Sequence, residues 1–289
     1  MKKNIPLVLA HRGIRSQFPE NTLQAIQASI DAGVDGVEVD VDLTSDNVPF
    51  LIHQSTLVPN HDMTKLELGT RDESRSWSHQ YSWDKIKDID VGSWFRPHFT
   101  GARFALLQEM LSLDWGAVTA CIELKNPSFY KKADRRFAER IVSMCTPLIR
   151  SFIEGGGNVQ IISFDPYIFE LVQSSLPAVE KVLALDCCFD PAPEESMRIA
   201  ERIGANGVVV WERWIGEDAR WKSISSDLGM DLWAFELSPD VNQLKEGKWS
   251  AEKLQEGWRR VYELGVKGLH TDFPAECAAY FKQLGNKSW

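Results

Sequence analysis

The 289-residue sequence has few cysteines, and none of them is spaced like a zinc ligand. The five cysteines form no Cys-x-x-Cys pair and no Cys/His pattern of the kind that binds zinc. Because their number is odd and they show no disulfide framework, we expect reduced, mostly buried thiols. This use of cysteine predicts a cytoplasmic protein.

Long apolar runs and an excess of positive charge are missing as well. No uninterrupted apolar stretch reaches the ~18 residues that would indicate a membrane-spanning helix, and residues 5–10 are too short for the apolar part of an export signal. The 32 lysines and arginines against 41 aspartates and glutamates give a formal net charge of −9. Such a charge repels a phosphate backbone, so we expect no nucleic-acid partner and no stable membrane insertion. The sequence does not indicate an oligomeric state.

The chain does contain strand-like and helix-like segments in regular alternation, with 44% hydrophobic residues to build a core. The eight predicted strands are Leu7–Ala10, Gly36–Leu43, Thr119–Leu124, Val159–Ser163, Val182–Leu185, Gly207–Trp211, Asp231–Leu237 and Gly268–Thr271. The predicted helices are Thr22–Ala32, Leu106–Leu113, Arg135–Ile153, Pro166–Ser175, Glu194–Ile203, Glu217–Leu228, Ala251–Leu264 and Pro274–Leu284. This alternation predicts a parallel sheet closed into a (β/α)8 TIM barrel. An open doubly wound sheet is the alternative.

The barrel is predicted to be a single domain over residues 1–289, because barrels of this type run to about 250 residues. Between His53 and Thr119 the chain is far longer than a connection from a strand to a helix requires. Residues 54–104 are therefore predicted to form a small insertion after the second strand.

Acidic side chains fall on one face of the second predicted strand. Because strand side chains alternate, Glu38, Asp40 and Asp42 lie on the face opposite the valines. In the third predicted strand, Glu123 and Lys125 share a face in the same way. Parallel strands are usually buried on both faces, so these carboxylates need protein partners, a cation or solvent. All-oxygen ligands favour Mg²⁺ or Ca²⁺. The alternative is a metal-free ionic network, in which Glu38 and Asp42 form salt bridges with Lys125 and Arg12 across the barrel mouth.

Two histidines are predicted at the same rim of the barrel. His11 ends the first predicted strand, and His53 follows a short strand over residues 48–52. A single histidine at a strand end is more often structural. Two histidines beside carboxylates, at the C-terminal face where barrel active sites are built, indicate an acid/base pair.

These residues belong to seven short motifs spread along the chain. They are His11-Arg12-Gly13, Pro19-Glu20-Asn21-Thr22, Glu38-Val39-Asp40, His53, Ile122-Glu123-Leu124-Lys125, Ser163-Phe164-Asp165 and Thr271-Asp272-Phe273-Pro274. Together they resemble the glycerophosphodiester phosphodiesterase family. The resemblance implies a (β/α)8 barrel with a small insertion after strand two and one divalent cation. It also implies a small-molecule substrate, a glycerophosphodiester that is hydrolysed to sn-glycerol 3-phosphate and an alcohol.

The resemblance also implies a role for individual residues. His11 and His53 would be the catalytic histidines, and Glu38, Asp40 and Glu123 would be the metal ligands. Arg12 and Lys125 would contact the phosphate, and Trp233 would line the leaving-group side. Gln54 departs from the family pattern, which usually has an Asp directly after the second histidine. A phospholipase-D-like lyase on the same barrel and a non-catalytic phosphate-binding barrel are the alternatives. The intact His11-Arg12-Gly13 motif favours the hydrolase, and the retained histidines and carboxylates argue against a non-catalytic barrel.

Three further polar residues receive structural interpretations. Asn21 follows Pro19 and Glu20 and is predicted to cap the first long helix. Asp272 precedes Pro274, which predicts a helix cap rather than a site residue. His270 lies on the last predicted strand without a partner in sequence and is predicted to be structural.

Overall fold

Eight parallel strands close into a barrel in the computed structural model, which describes residues 4–53, 78–126, 135–185, 192–236 and 250–286. The strands are β1 (Leu7–His11), β2 (Gly36–Leu43), β3 (Pro49–Leu51), β4 (Thr119–Leu124), β5 (Asn158–Ser163), β6 (Glu180–Ala184), β7 (Gly207–Trp211), β8 (Asp231–Phe235) and β9 (Gly268–Thr271). β1 pairs in parallel with both β2 and β9, which closes the ring. β3 is antiparallel and pairs with the last residues of β2. The ring confirms the predicted TIM barrel and excludes the open doubly wound sheet.

Helices connect the strands around the barrel. They are α1 (Leu23–Asp31), α2 (Trp83–Ile86), α3 (Leu107–Leu111), α4 (Arg135–Glu154), α5 (Pro166–Ser175), α6 (Pro193–Arg202), α7 (Glu212–Glu217), α8 (Arg220–Leu228), α9 (Ala251–Leu264) and α10 (Pro274–Asn286). Single 3₁₀ turns lie at Ser78–Gln80 and Pro97–Phe99. The predicted start of the helix Glu217–Leu228 is wrong. Glu217 is the last residue of the preceding helix α7, and the extended conformation of Asp218 separates α7 from α8.

Apolar side chains on the outward faces of the strands pack against the helices and form the main core. On β2 these side chains are the valines at positions 37, 39 and 41, which are fully buried. A second, smaller cluster fills the barrel interior and comprises Leu9, Cys121, Ile162, Val182, Ala184, Val209, Trp233 and Phe235. Because strand side chains alternate, the acidic residues between the valines point into the barrel.

The described part of the predicted insertion packs against β3 and against the loop after β1. Phe50 on β3 meets Phe104 edge to face, with ring centroids 5.4 Å apart. Further along, Phe99 contacts Phe18 in the β1–α1 loop at 5.6 Å. The rest of the predicted insertion, residues 54–77, lies outside the described residues. The described part therefore supports the barrel at the rim where β1 and β3 end.

Three of the five cysteines lie in the described residues, and they agree with the predicted thiols. Cys121, Cys145 and Cys277 are free and buried, and burial raises the pKa of the Cys145 thiol above its usual value. The adjacent pair at 187–188 lies outside the described residues. None of the described helices combines the length and the apolar character needed to cross a bilayer.

Candidate active site

Charged and titratable side chains of the barrel interior converge where five neighbouring strands end. The contributing residues are His11 at the end of β1, Glu38 and Asp40 on β2, Glu123 on β4, Lys125 just after β4, His53 after β3 and Asp272 after β9. Parallel pairing sets their order, since Asp40 lies opposite Glu123 in the register of β2 and β4. This is the C-terminal face of the barrel, where TIM barrels carry their active sites.

Three buried carboxylates form the centre of this face. One oxygen from each of Glu38, Asp40 and Glu123 lies within 4.8 Å of the others, and the residues are only 2%, 1% and 6% exposed. Burial, together with the charges of Asp40 and Glu123, raises the pKa of Glu38 well above its usual value. Burial also raises the pKa of Glu123. A buried set of oxygen ligands that is short of positive charge fits one hard divalent cation.

Lys125 and Arg12 supply positive charge beside this triad. The Nζ of Lys125 is 2.9 Å from Asp40 Oδ1 and 2.6 Å from Glu123 Oε1. The Nε of Arg12 is 3.3 Å from Asp40 Oδ2, and the Arg12 backbone N–H donates to Glu38 at 3.0 Å. Burial acts to raise the pKa of Asp40, but Lys125 and the other positive groups nearby outweigh burial and hold that pKa well below its usual range. Asp40 is therefore the ionised centre of the triad.

Asp42 does not join the cluster, although the sequence predicts it on the same face and in the metal-free alternative network. Its Oδ2 accepts a hydrogen bond from the Ser78 hydroxyl at 2.7 Å, and its Oδ1 accepts from the Leu43 N–H at 2.7 Å. The reason is that β2 continues past its pairing with β4 and pairs there with β3, where Asp42 lies opposite Phe50. Lys125 is left to pair with the carboxylates of the triad.

The loop between β1 and α1 holds Arg12 through backbone conformations that few residues adopt. Arg12 and Asn21 have φ values of 56° and 55°, and Gly13 has φ 84°. A Cβ on Gly13 would lie 2.7 Å from the backbone of Ala25, so glycine is needed for the loop to approach α1 this closely. Non-glycine residues in the left-handed region are uncommon and concentrate at functional sites.

Asn21 supports the triad instead of capping α1, so the predicted cap is wrong. Its Nδ2 donates to Asp40 Oδ2 at 2.8 Å, and its Oδ1 accepts from the Asp40 N–H at 3.1 Å. The cap is the next residue, Thr22, whose hydroxyl accepts from the Ala25 N–H at 3.3 Å. Asparagine and threonine are both good caps, so the sequence could not distinguish the two positions.

His11 is paired with Asp272, which the sequence interpretation assigned to helix capping. The two groups are joined between His11 Nδ1 and Asp272 Oδ1 at 2.8 Å. The other oxygen of Asp272 accepts from Arg15 at 2.9 Å, so both oxygens of this fully buried carboxylate serve the site. Burial, followed by the charge of Arg12, lowers the pKa of His11 against the opposing effect of Asp272. A neutral His11 then donates from Nδ1 to the carboxylate, which leaves Nε2 as the acceptor nitrogen.

His53 faces the same group of charges from the end of β3. Burial and then Arg12 lower the pKa of His53 well below its usual value, against the opposing charge of Asp40. Its Nδ1 is buried without a hydrogen-bond partner among the described residues. The structure thus brings both predicted histidines, all three predicted metal ligands and the two predicted phosphate contacts, Arg12 and Lys125, to one face of the barrel.

Trp233 lies too deep to line the mouth, contrary to the prediction of a leaving-group contact. It is 2% exposed and belongs to the interior cluster. Phe235, two residues further along β8, reaches the level of His11, with ring centroids 6.0 Å apart. His270 is 1% exposed, and burial lowers its pKa to about 3, so it stays neutral inside the barrel. Strand periodicity fixed the face of Trp233 but not its depth.

Glu236 is a buried carboxylic acid that the sequence did not indicate as a site residue. It follows β8 and accepts hydrogen bonds from Trp258 Nε1, from the Thr271 hydroxyl at 2.6 Å and from the Asp272 N–H at 3.3 Å. Burial raises the pKa of Glu236 to about 8. Its contacts fix the end of β9 and therefore the backbone of the residue that holds His11.

The chain is similar to known phosphodiesterases. A model of the glycerophosphoryl diester phosphodiesterase family matches residues 11–210. A glycerophosphodiester phosphodiesterase of Caldanaerobacter subterraneus subsp. tengcongensis is 34% identical over 107 residues, which cover 37% of this chain and 40% of that protein. The Bacillus subtilis protein YqiK is 33% identical over 280 residues, which cover 95% of this chain and 98% of that protein.

A solved structure shares the whole fold. It is that of an Oleispira antarctica phosphodiesterase in complex with the product sn-glycerol-3-phosphate, with a TM-score of 0.72 and 17% sequence identity. The superposition covers 96% of this chain and 97% of that one. At this identity the likeness concerns the barrel and its connections.

The raised pKa of Glu236 predicts a pH-dependent stability that Glu236→Gln removes. The folded protein keeps the Glu236 proton up to about pH 8, whereas the unfolded chain loses it near the ordinary value of 4.5. The contribution of Glu236 to the free energy of unfolding is therefore largest below pH 4.5 and falls as the pH rises towards 8. We expect the variant to gain stability relative to the parent protein between pH 5 and pH 8.5, by on the order of a few kcal/mol.

Urea unfolding of both proteins at the two pH values measures this change. Glu252→Gln, at an exposed position of α9, is the matched control, and its difference from the parent protein should stay constant. An equal difference at both pH values for Glu236→Gln would contradict the assignment.

Proposed function

Because the chain belongs to the glycerophosphoryl diester phosphodiesterase family, we propose that it hydrolyses glycerophosphodiesters to sn-glycerol 3-phosphate and an alcohol. The observation that carries the proposal is the buried carboxylate triad beside the His11–Asp272 pair at the mouth of the barrel. The proposed substrate is a small anion. A chain with a net charge of −9 attracts it only through local positive potential, which Arg12 and Lys125 provide.

One divalent cation, Mg²⁺ or Ca²⁺, is part of this proposal. Glu38, Asp40 and Glu123 would hold it, because their oxygens are close together, buried and incompletely neutralised. When bound, the cation supplies positive charge for the phosphate oxygens and makes a hydroxyl group more acidic. The residues around it then have to bind the phosphate and move protons.

His11 and His53 are the proposed acid/base pair. The Nδ1 of His11 is bonded to Asp272, so Nε2 is the ring nitrogen that exchanges a proton with the reacting groups. Asp272 stabilises the imidazolium that forms when His11 accepts a proton. His53 lies among the same charges and takes the opposite proton duty: when His11 accepts a proton, a His53 ring that carries a proton donates one.

Arg12 and Lys125 are the proposed phosphate contacts. Their side chains are 10% and 13% exposed, and both pair with Asp40. Because Asp40 and its neighbours hold these cations in place before substrate arrives, little reorganisation is needed when the negative charge on the phosphate grows.

Chelation should abolish turnover, and Mg²⁺ or Ca²⁺ should restore it. The measurement is release of sn-glycerol 3-phosphate from a panel of glycerophosphodiesters, with and without EDTA. Glu123→Gln, which removes one proposed ligand, should behave like the chelated protein. Full activity in a verified metal-free sample would rule out the cation. A cyclic phosphate product would indicate the lyase, and no turnover of any diester would contradict the proposed hydrolase.

Loss of either histidine should lower turnover by roughly 10²-fold or more, as expected when general acid–base catalysis is removed. The variants are His11→Ala and His53→Ala, and their circular dichroism spectra should match the parent protein. His98→Ala is the control, because His98 is exposed and contacts only Phe99 among the described rings. Near-normal turnover in either variant would remove that histidine from the mechanism.

Lys125→Met should lower kcat/KM by more than tenfold, equivalent to over ~1.4 kcal/mol, when measured with saturating cation. The change keeps much of the side-chain stem and deletes the charge that the proposal places against the phosphate. Lys87→Met is the control, because Lys87 forms an exposed salt bridge with Asp84. A Lys125→Met variant that loses thermal stability but keeps kcat/KM would assign Lys125 to its observed pairing with Asp40 and Glu123 alone.

A further inference from the structure

Arg15 joins the partner of His11 to the loop that carries Arg12. Its Nη1 is 2.9 Å from Asp272 Oδ2, and its Nε is 2.7 Å from Glu20 Oε2. The side chain is 13% exposed. We propose that Arg15 is a positioning residue for the reaction, which fixes Asp272 and, through it, the ring of His11. This inference rests on the proposed function.

Asp272 needs a second partner because it is fully buried. His11 occupies one of its oxygens and Arg15 the other, so the carboxylate is held at both oxygens and cannot turn about its own bond. Burial acts to raise the pKa of Asp272, and the charge of Arg15 is the largest single contribution that lowers it. Without Arg15, one buried oxygen would lose its partner and the carboxylate would be free to leave His11.

The loop backbone reinforces this contact. The Ser16 N–H donates to the Asp272 carbonyl at 3.3 Å, and the Arg15 N–H donates to the Gly13 carbonyl at 2.8 Å. The loop therefore contacts Asp272, just after β9, through both the backbone of Ser16 and the side chain of Arg15. A shift of about 1 Å at such a position can cost on the order of 10²-fold in rate, because the proton acceptor moves away from the reacting atom.

Arg15 differs in placement from Arg12, although the two arginines share Glu20. Arg12 reaches Glu20 at 3.0 Å and Asp40 at 3.3 Å, towards the triad. Arg15 reaches Glu20 and Asp272, towards His11. Burial acts to raise the pKa of Glu20, but Arg12 and Arg15 lower it to about 2, so Glu20 is ionised between them. Because both described side-chain bonds of Arg15 go to carboxylates, we expect it to affect turnover more than substrate binding.

The kinetic test compares Arg15→Met and Arg15→Lys with Arg96→Met. We expect Arg15→Met to lower kcat by about tenfold or more, with KM changed by less than about threefold. Arg15→Lys should recover part of the loss, since an ammonium group can bind Asp272 but lacks the fork that spans two carboxylates. Arg96, which is exposed and stacks on Phe95, is the matched control and should leave kcat unchanged. An Arg15→Met protein with a lowered melting temperature and an unchanged kcat would overturn the proposal.

A double-variant cycle tests whether Arg15 acts through Asp272. If it does, the variant with both Arg15→Met and Asp272→Asn should turn over no more slowly than Asp272→Asn alone. Losses that multiply would show that Arg15 has an independent role, and an Asp272→Asn variant with normal kcat would remove the group through which Arg15 is proposed to act. Either result would overturn the proposal.

A substrate-free measurement separates this inference from the proposed function. In protein labelled with ¹⁵N-histidine, the Nδ1–H proton of His11 can be assigned by its loss in His11→Ala. We expect it in the parent protein and in Arg96→Met, and we expect it to broaden or disappear in Arg15→Met. An unchanged signal in Arg15→Met overturns the positioning role, whatever the activity. A signal that responds in a protein without turnover on any diester leaves the positioning of His11 intact and refutes the hydrolase.

Discussion

Three carboxylates buried within 4.8 Å of one another are the constraint on which the rest of the site depends. Burial removes the water that would screen them, so they must be balanced by protein cations, a bound cation or a proton. Lys125 and Arg12 meet this need only in part, since Glu38 keeps a raised pKa with both of them in place. Buried acidic residues on a parallel barrel strand are unfavourable by themselves. Their presence here is accounted for if the site binds a further positive charge.

The same need for balance organises the loop after β1. Charges of opposite sign follow one another from the partner of His11 to the triad, in the order Asp272, Arg15, Glu20, Arg12 and Asp40. Each side chain in this series is at most 13% exposed, so water screens the contacts weakly. The two halves of the proposed chemistry, proton transfer and phosphate binding, are thereby held in one fixed relation.

Local patterns predicted most of the site, and long-range contacts account for what they missed. The alternation of strand side chains was sufficient to predict that the acidic residues of β2 point into the barrel, because this alternation depends only on neighbouring residues. Arg15 and Asp272 are 257 positions apart and meet only because the barrel closes β9 onto β1. No pattern within one segment indicates such a contact. Asn21 was misassigned for a different reason. An asparagine side chain can cap a helix, and it can equally well donate a hydrogen bond to a carboxylate such as Asp40.

The charged half of the barrel lies against an apolar half, and this contrast decides what its ion pairs contribute. Surface pairs such as Arg220 with Glu194, whose side chains are 57% and 44% exposed, contribute little to stability, because water can replace either partner. In the interior, Phe235 lies within ring contact of His11 and belongs to an apolar cluster that extends across β4 to β8 and includes Leu9 of β1. Removing one member of a buried network leaves its partner uncompensated, at about 3–5 kcal/mol. The network therefore contributes little net stability but penalises every partly broken arrangement, so the site is held in a single geometry.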